Sequence, residues 1–377
     1  MQLALFAFTR TIFNTAYRMT YPFLGVFARA LGVDITTLSI ALSVRSLGGG
    51  LIPFIAPVAD SRGRKFGMLL GLGLFTLSMG LVILFPNFYA LAAALFFSTL
   101  AKYIFDPAMQ AYLGDRTPYE KRGRVIAITE LGWSLAFFFG IPLVGFLISR
   151  GGWIAPFPLL MGSGLFSFVL IYILIPKDET SVGKPATAKM NFRRVFSSVP
   201  AMAGLSITLW VTIGNELVSI VFGVWLEDSF GLKIAALGAS AAVIGFAEIG
   251  GEGFVAFLSD KIGKERSVAY GLVINAIAAL LLPILGQSTV GAFVGLFLFY
   301  ISFEFTFVST IPIMTEVMPS ARATLMAFNV TTFSLGRAIG APLGTFIYGF
   351  GFPFVVIGTV FFNILGFLAL RKIRKKA

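Results

Sequence analysis

The sequence contains no cysteine and no histidine, and only 12% of its 377 residues are charged. The lack of cysteine excludes disulfide bonds and leaves the redox compartment open. The lack of histidine means that proton chemistry inside the protein would have to use carboxylates or lysines. The charged fraction is about half of the ~25% that is typical of soluble domains.

Apolar residues are correspondingly abundant. They make up 57% of the chain, and the mean hydropathy is +0.91. A soluble fold of this length could not bury so much apolar surface, so we expect lipid to be the solvent. The net charge of +12 would also suit a nucleic-acid partner, but the positions of the basic residues argue against one.

Twelve segments are long and apolar enough to cross a bilayer, which takes about 20 residues. They cover residues 3–29, 36–59, 66–86, 88–113, 124–149, 153–176, 199–226, 235–258, 267–287, 289–314, 323–349 and 352–370. The sequence therefore predicts an all-α polytopic membrane protein with twelve transmembrane helices.

The basic residues are distributed unevenly between the predicted loops. Most of the 29 lysines and arginines follow even-numbered spans or lie in the tail "RKIRKKA", whereas the opposite loops hold only Arg29, Arg150 and Lys233. This asymmetry predicts that both termini are cytoplasmic. It also explains the basic charge without nucleic acid, so we expect the lipid bilayer of the cell's inner or plasma membrane as the partner.

The chain matches itself at an offset of about 200 residues. Asp60 and Gly63 align with Asp260 and Gly263, and "GIPLVG" at 140–145 aligns with "GAPLGT" at 340–345. Parallel repeats of this kind are typical of transporters with a substrate path between the halves. We expect pseudo-symmetric six-helix bundles at 1–176 and 199–377, joined by a cytoplasmic linker at 177–198, with a basic tail on the second bundle.

The stretch "APVADSRGRK" at 56–65 resembles the loop motif of the major facilitator superfamily, Gly-x-x-x-Asp-x-x-Gly-Arg-Lys/Arg, with Ala56 in place of the first glycine. With the twelve spans and the repeat, the chain is similar to that family's drug:proton antiporter-like branch. The resemblance implies the family's fold and a secondary transporter, not an enzyme, that acts as a monomer on a small-molecule substrate together with protons, and without a cofactor. In span 5, Ile141 departs from the Gly-Pro of the antiporter motif.

The resemblance further implies that the charged loops form a gate on the cytoplasmic side, held by links between loops 2–3 and 4–5 that break on opening. The alternative is that the basic residues only set topology. The expected gate residues are Asp60, Arg62, Gly63, Arg64, Lys65, Asp115, Arg122, Asp260, Gly263 and Lys264.

Ionisable and polar residues inside the spans are expensive and therefore candidates for function. The candidates for substrate binding are Asn14, Tyr17, Arg18, Arg45, Lys102, Asp106, Glu216, Glu304 and Arg337. Lys102 and Asp106 are four residues apart on one helix and are expected to pair, either structurally or as a substrate-linked switch. Arg10 lies near enough to the predicted cytoplasmic end to snorkel to the surface.

Several carboxylates are candidates for proton coupling. Glu248 and Glu252 share one helix face, where two negative charges at low dielectric repel each other and favour a shared proton. Neutralisation by Arg45 or Arg337 is the structural alternative. The full set of candidates is Asp106, Glu130, Glu248, Glu252 and Glu304.

We therefore expect a secondary transporter that moves small amphipathic or lipid-like compounds by alternating access, with proton-coupled efflux as the leading mode. An uncoupled facilitator, or a proton-coupled importer of a small anionic or polar nutrient, is the first alternative. A membrane enzyme is disfavoured, because no nucleophile, metal-ligand or acid–base set converges in the sequence. We expect no metal site.

Overall fold

A computed structural model describes residues 2–51, 63–176, 192–318 and 322–374, which form fifteen α-helices and no strand. The first half contains α1 (Gln2–Arg18), α2 (Leu24–Leu31), α3 (Ile35–Leu47), α4 (Arg64–Leu84), α5 (Phe88–Arg116), α6 (Tyr119–Leu135), α7 (Ile141–Gly151) and α8 (Pro156–Leu174). The second contains α9 (Phe192–Ser197), α10 (Val199–Phe230), α11 (Ile234–Ile262), α12 (Lys264–Leu285), α13 (Thr289–Val317), α14 (Arg322–Tyr348) and α15 (Phe352–Arg374).

Nine segments of the described chain are long and apolar enough to cross a membrane alone, and they correspond to predicted spans 3 to 10 and span 12. Span 1 is divided into α1 and α2, and span 2 begins as α3 and continues into residues outside the described ranges. Span 11 is the continuous helix α14 but is not among the nine. The predicted all-α polytopic architecture is thus confirmed.

The internal repeat is visible in the way helices begin. Asn87 precedes α5, and its side chain accepts a hydrogen bond from the backbone N of Ala90 at 3.0 Å. Ser288 precedes α13, about 200 residues later, and accepts from Gly291 N at 3.1 Å. Such side-chain caps satisfy the unpaired donors of a first helical turn. The two halves therefore start equivalent helices with equivalent caps.

Backbone contacts divide the chain into two compact units. The first unit comprises Met1–Asp34, Val44–Thr187 and Ile234–Ala241, and the second comprises Ile35–Ser43, Ala188–Lys233 and Ala242–Ala377. The first turns of α3 thus belong with the second unit, and the first turns of α11 belong with the first. The predicted boundaries at 176 and 199 adjoin residues 177–191, which are outside the described ranges, and remain a prediction.

One contact attaches the N-terminal end of α3 to the second unit, and another attaches the N-terminal end of α11 to the first unit. In the second unit, Ser39 Oγ on α3 lies 2.9 Å from Thr345 Oγ1 on α14. In the first unit, a Cβ on Gly238 of α11 would lie 3.2 Å from the Cα of Gly145 on α7. The four positions are related by the same offset of about 200 residues. We call these two the crossed contacts.

Besides the 3-10 turn Gly48–Leu51 that follows α3, two described membrane segments depart from regular α-helix. Span 1 breaks after Arg18 and resumes at Leu24, and residues 136–140 form a π-helical turn between α6 and α7. A Cβ on Gly140, the last residue of that turn, would collide with the side chain of Thr15. The two irregularities are therefore neighbours in the first unit. Broken helices and π turns in membranes commonly lie at functional sites.

Candidate functional site

The two predicted gate loops end in the same backbone conformation. Gly63 and Gly263 immediately precede α4 and α12, and their φ angles are +97° and +91°. Residues with a Cβ rarely adopt such angles, so the turn favours glycine at both positions. The similarity of the two motif copies thus extends from sequence to backbone geometry.

The basic residue after each glycine pairs with an acid at the end of another helix. Arg64 Nε lies 3.5 Å from the carboxylate of Asp115, and Lys264 pairs with Glu316. Asp115 and Glu316 occupy matched positions in the two sequence repeats. The expected link between loops 2–3 and 4–5 is formed by Arg64, and Glu316 is a partner that the sequence analysis did not single out.

Lys65 contacts a different helix. Its Nζ donates hydrogen bonds to the backbone carbonyls of Tyr172 at 2.7 Å and Ile175 at 2.6 Å, at the C-terminal end of α8. A cation is favoured there by the helix dipole, so Lys65 ties α4 to α8. The predicted gate residues Asp60 and Arg62 lie outside the described residues, and so do the side chains of Arg122 and Asp260.

Arg10 lies inside the first unit between two carboxylates. Its Nε is 3.4 Å from Asp106, and its Nη1 is 2.5 Å from Glu130. Asp106 also pairs with Lys102, as expected from their spacing. The expectation that Arg10 snorkels to the surface is wrong, because its side chain is only 6% exposed and is held by these acids. Arg10 therefore completes a network of two cations and two anions.

The guanidinium of Arg18, the last residue of α1, lies against two aromatic rings. Its Cζ is 3.7 Å from the centre of the Trp133 ring and 4.0 Å from that of Phe137. Each such cation–π contact contributes about 0.5–2 kcal/mol. The Nζ of Lys102 lies 5.7 Å from the same Trp133 ring. Trp133, which the sequence analysis overlooked, thus faces two of the predicted substrate-binding cations.

Asn14 lies one helical turn from both Arg10 and Arg18 on α1 and is fully buried. Within the described part of the chain, neither its amide nitrogen nor its amide oxygen has a hydrogen-bond partner. Each buried polar group left without a partner costs about 1–3 kcal/mol. An unsatisfied amide therefore lies on the α1 face between two arginines.

Arg45 is fully buried and fastens α3 to the break in span 1. Its Nη1 donates to the carbonyl of Tyr17 at 2.6 Å, and its Nη2 donates to the hydroxyl of Tyr21 at 3.2 Å. Its Cζ also lies 4.1 Å from the centre of the Tyr17 ring. The Tyr17 carbonyl is at the C-terminal end of α1, where the helix dipole stabilises a positive charge. These contacts explain how the fold accommodates a buried guanidinium.

In the second unit, the predicted substrate-binding residues Glu216 and Arg337 pair with each other. The Nε of Arg337 lies 3.4 Å from Glu216 Oε2, and the Glu216 side chain is 1% exposed. A Cβ on Gly340 would lie 2.6 Å from the Glu216 Cβ, so α10 and α14 approach closely here. Removing one partner of such a pair leaves a buried charge, which costs about 3–5 kcal/mol.

A glycine of α11 lies directly against Glu304 of α13. A Cβ on Gly251 would lie 2.7 Å from the Cβ of Glu304. Glu248 precedes Gly251 by three residues, and Glu252 follows it directly. Glu304 therefore packs against α11 next to the turn that carries the buried Glu248, whereas the Glu252 side chain is exposed. In the described part of the chain, no three acidic side chains are arranged to share a metal ion.

The predicted residues thus form separate groups. The first unit brings together Asn14, Tyr17, Arg18, Arg45, Lys102, Asp106 and Glu130, and the second holds the Glu216–Arg337 pair and the carboxylates Glu248, Glu252 and Glu304. Within the spans, Arg10 was not recognised as part of this buried group. The spacing of Arg10, Asn14 and Arg18, four residues apart on one helix, was the signal that could have found it.

Related proteins of similar length are membrane transporters. The chain is 26% identical over 366 residues to the "Uncharacterized MFS-type transporter YwfA" of Bacillus subtilis, covering 92% of this chain and 85% of that protein. It is 26% identical over 385 residues to the multi-drug resistance efflux pump PmrA of Streptococcus pneumoniae, covering 95% and 94%. It is 26% identical over 334 residues to the cis,cis-muconate transport protein of Acinetobacter baylyi, covering 82% and 77%.

Solved transporter structures share the fold. A POT family transporter crystallised with a thioalcohol-conjugated peptide superposes with a TM-score of 0.79 at 14% identity, covering 99% of this chain and 95% of that one. A bacterial homologue of the human lysosomal transporter Spinster, in an inward-facing and unoccupied conformation, gives 0.75 at 17% identity, covering 99% and 97%.

The sequence profile of the Major Facilitator Superfamily matches residues 6–320 and, in a second match, residues 205–377. Together the matches extend over nearly the whole chain. With the helical architecture and the transporter relatives, they show that this protein is a polytopic membrane transporter of the Major Facilitator Superfamily.

Proposed function

We propose that the protein is a proton-coupled carrier that exports small amphipathic organic compounds by alternating access. We place it in the cell's inner or plasma membrane as a monomer with both termini in the cytoplasm. The observation that carries the proposal is the close crossing of α11 and α13, where Gly251 packs against Glu304 and the buried Glu248 lies one turn away on α11.

Carboxylates next to a helix crossing suit proton coupling for an electrostatic reason. Negative charges held close together at low dielectric repel one another, and binding a proton relieves the repulsion. A helix movement that changes their spacing would change how readily the proton is held. Because the chain has no histidine, carboxylates are the side chains best suited to link proton uptake to a conformational change.

The polar interior of the first unit supports an amphipathic substrate. Arg18 supplies positive charge, and Trp133 and Phe137 supply apolar ring surface directly beside it. The relative from Streptococcus pneumoniae is a multi-drug efflux pump, which supports outward transport. We propose that the Arg64–Asp115 and Lys264–Glu316 pairs, together with the other predicted gate residues, act as the cytoplasmic gate.

Proteoliposomes with an entrapped pH-sensitive dye would test the coupling. With ethidium and benzoate as probes, wild-type protein should move protons only when a transported probe is present. Glu248→Gln and Glu304→Gln should each abolish that proton movement, because an amide neither gains nor loses a proton near neutral pH. Gly253→Ala is the control, since no described atom lies within 4 Å of the added Cβ. Full proton movement in both glutamine variants would refute the proposal.

A second candidate function is import of a small organic anion, with or without protons. The Acinetobacter baylyi relative is a cis,cis-muconate transport protein, and Arg18 and Lys102 would suit a carboxylate. Uptake into right-side-out vesicles compared with inside-out vesicles separates the two directions. Accumulation of labelled probe in right-side-out vesicles, driven by an inward proton gradient, would favour the importer.

A further inference from the structure

A cavity of about 610 Å³ lies within the second unit, between the ends of α10, α12 and α14 and the start of α15. Its volume is within the range of ~300–1,000 Å³ that is usual for small-molecule sites. Gly263 of the gate precedes α12, whereas Gly286, which lines the cavity, follows it. The whole length of α12, about 33 Å, therefore separates this cavity from the gate. We call it the helix-end cavity.

The helix-end cavity carries a negative charge. Among the described residues that line it, Asp228 is the only charged one. Asp228 is exposed, and its Oδ2 accepts a hydrogen bond from the hydroxyl of Tyr348 at 2.8 Å. In the described part of the chain, no lysine or arginine pairs with this carboxylate. A neutral hydroxyl does not cancel the charge, so a ligand in the cavity meets an uncompensated carboxylate.

Helix ends add to the negative potential of the cavity. Three helices end beside it, at Phe230, Leu285 and Tyr348, and one helix begins there, at Phe352. The C-terminal end of a helix carries a partial negative charge and the N-terminal end a partial positive one. Three negative ends and one positive end, together with the carboxylate of Asp228, favour a cation over an anion.

An exposed row of phenylalanines borders the cavity. The ring centroids of Phe346 and Phe350 are 5.5 Å apart, and those of Phe350 and Phe354 are 6.4 Å apart. All three side chains are largely exposed, and Phe350 also lines the cavity. We call these three residues the aromatic row. Because its apolar surface adjoins a carboxylate, a ligand that contacts both must be amphipathic.

We propose that the helix-end cavity binds the primary ammonium group of an amphipathic amine, whose apolar part packs on the aromatic row. The ammonium group would donate hydrogen bonds to the carboxylate of Asp228, and the apolar part would cover Phe350. Two sources supply this chemistry: the ethanolamine headgroup of a membrane lipid, and a free amine. The site goes beyond the proposed function, because it requires neither proton coupling nor a direction of transport.

Equilibrium binding of radiolabelled phenethylammonium tests the site. The full-length protein is placed in phosphatidylcholine nanodiscs, because a choline headgroup has no N–H to donate, and empty nanodiscs give the background. We expect saturable binding above that background. Ethylammonium, which lacks the ring, should compete at least about fivefold more weakly. Phenylpropionate, which reverses the charge, should not compete, and competition by phenylpropionate as strong as that by unlabelled phenethylammonium would overturn the proposal.

The contribution of the carboxylate is measured with Asp228→Asn, which keeps the shape of the side chain. It should weaken phenethylammonium binding at least about tenfold through loss of a charge-assisted hydrogen bond. Glu265→Gln is the matched control, since Glu265 lies in the first turn of α12, at the opposite end of that helix. The control should keep the affinity within about twofold. Unchanged affinity in Asp228→Asn would refute the site.

The contribution of the aromatic row is measured with Phe350→Ala. This variant should lose the preference for phenethylammonium over ethylammonium, because the ring of the ligand would have no partner. Phe361→Ala is the control, since Phe361 is exposed on α15 and does not line the cavity. A preference retained in Phe350→Ala would contradict packing on the aromatic row.

The lipid composition of the nanodiscs distinguishes the two sources of the ammonium group. If the site holds the lipid headgroup, replacing phosphatidylcholine with phosphatidylethanolamine should weaken phenethylammonium binding at least about tenfold by competition. An affinity that is the same in both lipids would identify a free amine as the ligand. Absence of saturable binding in phosphatidylcholine would refute both.

Failure of this inference is distinguishable from failure of the proposed function. If ethidium drives proton movement but phenethylammonium does not bind, the carrier is proton-coupled and the ammonium site is wrong. If phenethylammonium binds in the way that depends on Asp228 but no probe moves protons, the site stands and the proposed coupling is wrong.

Discussion

Ser39 and Thr345 join α3 to α14 through side-chain oxygens 2.9 Å apart. At the matched position, Gly145 and Gly238 join α7 to α11 with no side chain between the backbones. The two crossed contacts are thus equivalent in position and different in chemistry. Each contact joins a helix of the predicted bundle 1–176 to a helix of the predicted bundle 199–377, so alternating access, as proposed, would require both contacts to separate once in each transport cycle.

A cross-link at the first crossed contact should therefore stop transport. Because the chain has no cysteine, Ser39→Cys with Thr345→Cys introduces the only two thiols. Oxidation should form a disulfide, visible as altered mobility on a non-reducing gel. Transport in proteoliposomes should be lost and should return on reduction.

A cross-link between two helices of the same predicted six-helix bundle, 199–377, provides the control. Thr208 Oγ1 and Asn329 Oδ1 lie 2.6 Å apart within the second unit, on α10 and α14. Cysteines at these positions should cross-link without blocking transport. If the oxidised Ser39–Thr345 pair transports as well as the oxidised control, the helix ends do not separate during the cycle.

Two neighbouring glycines of α11 should respond oppositely to alanine. In Gly251→Ala the Cβ would lie 2.7 Å from the Glu304 Cβ and 2.8 Å from the Ile301 carbonyl oxygen, so α11 and α13 must move apart. We expect a stability loss of about 1–3 kcal/mol and weakened proton coupling. At Gly253 nothing lies within 4 Å, and alanine should be neutral or stabilise the helix by up to about 1 kcal/mol. Thermal unfolding with the proton-flux assay checks both, and equal behaviour of the two variants would contradict the close crossing.

Replacement of Arg45 should lower the stability of the protein by the loss of several contacts at once. Arg45→Ala removes the bonds to Tyr17 and Tyr21, and a hydrogen bond to a charged group is worth about 1.5–3 kcal/mol. Arg45→Lys should recover part of the loss, because it keeps the charge but not the two-pronged geometry. Thermal unfolding of the purified protein measures both. An alanine variant as stable as wild type would show that the break in span 1 needs no cation.

Exchanging the charges of Lys264 and Glu316 should show whether Lys264 acts through its ion pair or only sets the membrane topology. Lys264→Glu alone places the new carboxylate opposite that of Glu316. The repulsion between these two negative charges should slow transport. Adding Glu316→Lys should restore the rate, because the ion pair is re-formed in reverse. Stability should change by less than about 1 kcal/mol, since the pair is largely exposed. A double variant as slow as the single one would favour a purely topological role for Lys264.

The sequence was sufficient to predict the all-α polytopic architecture and the link between Arg64 and Asp115. Long apolar segments identify spans directly, and the matched glycines Gly63 and Gly263 proved to share one backbone conformation. The Lys102–Asp106 pair also follows from spacing on one helix, because the geometry of a single helix is known in advance. Contacts within one helix, and features repeated in both halves, could be predicted in this way.

Most contacts between different helices could not be predicted from the sequence. Nothing in the local sequence shows that Trp133 would lie over Arg18, or that Lys65 would reach the end of α8 instead of Asp115. Arg10 was assigned to the surface because depth in a span was estimated from sequence position alone. Its burial depends on Asp106 and Glu130, which approach from two other helices.

The guanidinium of Arg45 at the end of α1 has a consequence for the ionic requirements of the fold. In other broken membrane helices, the carbonyl end of a half-helix is a place where a dissolved metal cation can bind. Here the positive charge is covalently attached to the chain and can neither dissociate nor be exchanged. The shape of span 1 at this break should therefore be the same in sodium, potassium or choline buffers.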